Sequence, residues 1–105
     1  MKVLIVTNIF LLGNRIGTYL KSKGLDVTVY NPSSKLYQNL SPLINETDII
    51  VLDLPRDRLE DIIKKIKEFD STKPIIVLRN DTMHKDIVNI LKLGIYKCVE
   101  RPIDP

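Results

Sequence analysis

Short runs of Val, Ile and Leu, each followed by a segment long enough for a helix, constrain this chain more than any other feature. Lys2–Thr7 (KVLIVT) is a nearly continuous apolar run, which suits a central parallel strand buried on both faces. Leu12, Ile16, Tyr19 and Leu20 then recur at three- and four-residue spacing and predict a helix packed on that apolar face. Gly24 stands where a helix C-cap glycine belongs. Leu25–Tyr30 (LDVTVY) alternates and reads as a second, less buried strand. A serine in Asn31-Pro32-Ser33-Ser34 is placed to cap a short helix through about Leu40, which Ser41-Pro42 breaks or restarts. Asp48–Leu54 (DIIVLDL) is the strongest strand pattern.

Leu59, Ile62, Ile63, Ile66 and Phe69 next mark one helix face, with Lys64, Lys65 and Lys67 turned to solvent. Lys73-Pro74 opens a fourth strand, IIVL. Asp81 or Thr82 caps a fourth helix with Ile87, Ile90 and Leu91 on its apolar face, ended by Gly94. Ile95–Glu100 is a short fifth strand. Strand and helix thus alternate, and right-handed crossovers give one parallel sheet with helices on both faces. In such sheets functional groups gather at the carboxyl ends of the strands. That directs attention to Thr7 and Asn8, Asn31, Asp53, Arg79 with Asn80, and Glu100 with Arg101.

Composition narrows the function classes. A chain of 105 residues with 44% hydrophobic content makes one compact domain, 1–105, and excludes most complete enzymes. A net charge of +3 lacks the dense basic stripe of a dedicated nucleic-acid binder. The apolar runs are too short to span a membrane, and MKVLIV is too short for a signal-peptide core, so a cytoplasmic setting is expected. The single cysteine, Cys98, excludes an intramolecular disulfide and reads as a small core residue. The single histidine, His84, makes His-rich metal sites hard to build and is expected to be exposed. Tyr96 is expected on the fifth strand, either partly exposed or packed there.

Five segments in order resemble the receiver domain of response regulators, the CheY-like family: VLIVTN, YLKSKGLDVTVY, DIIVLDLP, KPIIVLRN and LKLGIYKCVERPIDP. The resemblance covers the whole chain. It implies a doubly wound, flavodoxin-like α/β fold with a five-stranded parallel sheet in the order 2-1-3-4-5. It also implies a phosphoacceptor position at Asp53. Receivers gather Mg²⁺ with two acids at the end of the first strand and this aspartate. They hold the phosphoryl group with a hydroxyl on the fourth strand and a lysine on the fifth.

The chain departs from that pattern at every other position. Thr7 and Asn8 replace the acidic pair, Arg79 the hydroxyl, Arg101 the lysine, and Cys98 an aromatic switch residue. Pro55 also comes early, shortening the loop that carries a metal-binding carbonyl. The pocket would hold one carboxylate and two guanidiniums, a poor set for a hard cation. Arg79 or Arg101 could fork onto Asp53, the two could form an anion site, or each could be solvated or paired with a local acid such as Asp57 or Glu100.

The expectation is therefore a degenerate receiver, or pseudo-receiver. It is a non-enzymatic interaction module for a protein partner or effector domain, with no catalytic residue, metal or cofactor. A genuine phosphoacceptor with a weak Mg²⁺ site, controlling an effector such as a transcription regulator, is the alternative. A dinucleotide-binding domain is disfavoured because Asn8, Leu11 and Asn14 stand where glycines are needed. Receivers run on for about another helix, so the sheet face by the first and fourth helices is expected to lack its fifth helix. A longer parent chain, a partner, or, if the chain is complete, a homodimer through that face is expected to cover it.

Overall fold

The computed structural model describes residues 1–7, 10–30, 40–79, 92 and 94–100. Of these, the side chains of 10–13, 40, 41, 56, 57, 79, 98 and 100 lie outside the description. The elements run β1 (Lys2–Thr7), α1 (Phe10–Ser22), β2 (Asp26–Tyr30), α2 (Leu40–Asn45), β3 (Ile49–Asp53), α3 (Arg56–Phe69), β4 (Ile75–Arg79) and β5 (Lys97–Glu100). The expected fourth helix, with His84, and the segment after Glu100 fall outside the described residues.

All strand pairs are parallel, and the sheet order is β2-β1-β3-β4-β5. This is the expected flavodoxin-like, CheY-like α/β fold. The apolar runs fall in the middle because a central parallel strand is covered on both faces. Successive side chains on β1, β3 and β4 serve opposite sides. Leu4, Val6, Ile50, Leu52, Ile75 and Val77 join Ile44 of α2 and Leu59, Ile62, Ile63 and Ile66 of α3 in one fully buried core. Val3, Ile5, Val27, Val51 and Leu78 form a second core, against which Ile16 and Leu20 of α1 pack.

Two helix ends and two helix faces differ from, or add to, the sequence reading. Gly24 adopts φ +88°, donates its N–H to Lys21 O at 3.0 Å, and lets Leu25 N–H reach Leu20 O at 3.2 Å. These two bonds are the Schellman closure that a left-handed glycine permits. Of the two outcomes expected at Ser41-Pro42 the structure has the restart: Pro42 sits in the first turn of α2, where a proline lacks only an N–H that has no helical partner. The spacing places Tyr19 on the buried face of α1, but it is 62% exposed. Gly17, two residues earlier and on the opposite side of the helix, is the residue against the sheet. A Cβ there would lie 3.4 Å from Val29 and 3.5 Å from Val27. The close approach at glycine turns Tyr19 outward. Phe69 likewise leaves the expected apolar face of α3 and is 38% exposed, because it is the last residue of the helix.

Candidate functional site

The site lies at the carboxyl edge of the sheet, on the side facing α1. Val3, Ile5 and Thr7 alternate along β1, and Val51 and Asp53 along β3, so Thr7 and Asp53 continue the face of the second core. Register places them directly across from one another. Both are fully buried. Thr7 Oγ1 donates a hydrogen bond to Asp53 Oδ2 at 3.1 Å. A carboxylate taken out of water is costly unless it receives hydrogen bonds, and the neighbouring strand supplies one.

This pairing is the feature that sequence reading missed. In the sequence Thr7 shows only the loss of an acid. The signal that could have found it is the end-on alignment of two parallel runs, KVLIVT and IIVLD, which brings their last residues side by side.

The other candidates are placed unequally. Arg79 is the last residue of β4, its backbone paired with Glu100, and Cys98 pairs with Val77 inside β5. Both are where the pattern put them along the chain, and their side chains lie outside the described set. Asn8 and Arg101 lie outside it altogether. The predicted contact of an arginine with Asp53 therefore falls on residues that are not described. Tyr96 is 75% exposed, more than expected, and its N–H reaches Ile75 O at 2.8 Å.

The described donor set does not suit a divalent cation. A hard cation prefers clustered carboxylate oxygens, and here one carboxylate accepts from a hydroxyl. Among the described residues, no group of three His, Cys, Asp or Glu side chains could hold a metal ion. No helix of the described residues is long and apolar enough to cross a membrane.

The comparisons with known proteins agree with the topology. A receiver-domain protein from Clostridium thermocellum superposes with a TM-score of 0.84 over 98% of this chain and 83% of that one, at 19% identity. The chain has the CheY-like receiver fold. The non-phosphorylated HemR receiver domain from Leptospira biflexa matches with a TM-score of 0.78 over 98% of this chain and 83% of that one, at 20% identity. HP1043, an orphan response regulator of H. pylori, matches with a TM-score of 0.78 over 100% of this chain and 86% of that one, at 21% identity. By sequence, the receiver-like chain is 29% identical to the response regulator SaeR of Staphylococcus epidermidis over 90 residues, 84% of this chain. It spans 38% of the length of that relative. No family model matches the chain.

Proposed function

We propose that the chain is an atypical response-regulator receiver domain that acts in signal transduction as a protein-interaction module, without aspartyl phosphorylation. The observation that carries this reading is the buried hydrogen bond from Thr7 to Asp53. A receiver needs its aspartate as a nucleophile beside a metal that offsets phosphoryl charge. Here a hydroxyl donates to that aspartate where an acid would help hold the metal. Asn8, Arg79 and Arg101 extend the same departure in sequence. The reading includes a protein partner or effector domain, a cytoplasmic setting, and no direct contact with nucleic acid or membrane.

Retention of Asp53 at the end of β3, together with the likeness to SaeR, favours one second reading: a genuine phosphoacceptor that controls an effector. One experiment separates the two. The chain is incubated with Mg²⁺ and acetyl phosphate and its intact mass is followed. The first reading expects no adduct. A phosphoryl adduct that disappears in Asp53→Asn would overturn it in favour of the second.

A further inference from the structure

At the opposite end of the sheet from Asp53, a crevice opens between the start of β2 and the end of α2. Strand alternation builds one wall. Val3 and Val27 face α1, so Lys2, Asp26 and Thr28 fall on the other side, that of α2. Register sets Lys2 beside Asp26. Leu43, packed on the larger core, and Glu46 and Thr47, just past the helix, build the facing wall. The walls are held in place. Lys2 donates its backbone N–H to Asp48 Oδ2 at 2.8 Å. Thr47, only 6% exposed, donates its hydroxyl to Leu43 O at 2.6 Å, and Lys73 Nζ donates to Thr47 O. Lys2, Asp26 and Glu46 are exposed and line the same space. Among the described residues, the Lys2 ammonium and the Asp26 and Glu46 carboxylates nevertheless form no ion pair, whereas Lys64 and Lys65 of α3 pair with Glu60 and Glu68.

We propose that this crevice binds a small zwitterion, an α-amino acid with an apolar side chain. Its ammonium would lie between Asp26 and Glu46. Its carboxylate would accept from Lys2 Nζ and the Thr28 hydroxyl, and its side chain would rest on Leu43. Charge of both signs, left open on facing walls, fits a ligand that carries both. A hard metal ion instead needs clustered oxygens, which the Lys2 ammonium opposes, and among the described residues no three His, Cys, Asp or Glu side chains could hold one. Drug-sized ligands occupy ~300–1,000 Å³, and the about 200 Å³ here suits a molecule of amino-acid size. Binding would join β2 to α2 at the end of the sheet away from Asp53. The inference goes beyond the interaction-module reading and depends on neither reading of Asp53.

The test titrates the full chain with L-leucine and follows amide chemical shifts. Isopentylamine, which is leucine without its carboxylate, and isocaproate, which is leucine without its ammonium, serve as matched probes. Leucine is expected to give saturable shifts centred on the start of β2 and the end of α2. Each analogue is expected to bind about tenfold more weakly or worse, because it leaves one end of the crevice unanswered. Asp26→Asn and Glu46→Gln are each expected to weaken leucine about fivefold. Lys2→Gln is expected to bring leucine down to the affinity of isopentylamine. Lys64→Gln on α3 is expected to leave binding unchanged. Circular dichroism checks that each exposed-site variant remains folded.

The proposal is overturned by the absence of saturable shifts with leucine, or by shifts centred elsewhere in the chain. Binding of either analogue as tightly as leucine would also overturn it, since the crevice would then be a site for a lone cation or a lone anion. Undiminished leucine binding in Asp26→Asn, Glu46→Gln or Lys2→Gln would do the same. None of these readouts involves Asp53. A phosphoryl adduct there would sink the unphosphorylated reading and leave the leucine result standing, and a failure of leucine to bind would do the reverse.

Discussion

Beneath α2 and α3 the sheet is closed to water. Leu4, Val6, Leu52, Ile75 and Val77 meet Ile44, Leu59, Ile62, Ile63 and Ile66, and none of these exposes more than 1% of its surface. Beneath α1 the covering is thinner. Val3, Ile5, Val27 and Val51 are buried, but Ile16, Leu20, Leu25, Val29, Ile49, Ile76 and Val99 around them are only partly so. Over β1 and β2, where α1 packs, the difference follows from what each helix brings; Ile76 and Val99 lie further across the sheet, on β4 and β5. α3 presents a ridge of Leu and Ile at helical spacing, which fills the groove of the sheet. α1 presents Gly17, which lets the helix approach β2 closely but contributes little apolar area. The helix that seals the sheet also pairs Lys64 and Lys65 with its own glutamates. The helix that seals it less completely exposes the Tyr19 ring between Arg15 and Lys23 and covers the side on which Thr7 and Asp53 lie.

The inequality has measurable consequences. Leu52→Ala or Ile63→Ala removes a fully buried side chain from the closed face and is expected to cost about 2–5 kcal/mol in urea unfolding. Ile16→Ala on the thinner face is expected to cost about half as much, because Ile16 is only partly buried. Equal losses at Ile63 and Ile16 would mean that the two faces support the fold alike.

Thr7→Val keeps the shape of the side chain and removes the donor to Asp53. It is expected to cost about 1–3 kcal/mol, the penalty for depriving a buried acceptor of a hydrogen bond. A smaller loss, below about 0.5 kcal/mol, would mean that this bond contributes little to holding the strand ends together.

Gly24→Ala places a side chain at φ +88° in the closure that follows α1 and is expected to cost about 1 kcal/mol. Thermal melts of the two proteins would measure it. A neutral result would show that this end of α1 adds little to the thinner side.

The smallest expected effect is at the end of α3. The hydroxyl of Thr72, and then its backbone N–H, donate to Asp70 and hold its carboxyl below the ordinary aspartate value of 3.8. A carboxyl lowered on folding stabilises the native state above that ordinary value. The contribution is lost as pH falls through the depressed folded value. Asp70→Ala should therefore lower the melting temperature slightly at neutral pH, and the gap from wild type should close in acid. A gap that persists unchanged well below pH 3.8 would separate the role of this turn from its charge.

Local pattern carried most of the architecture. KVLIVT and IIVL stand in the structure as read, and the outer strands differ only in where they begin. Uninterrupted β-branched runs joined by helix-length crossovers point to one parallel sheet, and the resemblance to receivers implied its strand order, which the structure has. The same pattern placed Asp53 at the end of β3 and identified Gly24 as a helix terminus, because these depend on neighbours close in the chain.

What lay beyond the linear pattern depended on residues distant in sequence. Tyr19 matches an apolar helix position equally well in either orientation of α1, and the approach of Gly17 to Val27 and Val29 turned it outward. The partner of Asp53 is 46 residues away, and strand register selected it. Hydrophobic spacing along the chain therefore specified which elements form and in what order. Close packing between those elements, which spacing does not encode, set the side chains that meet and those that face solvent.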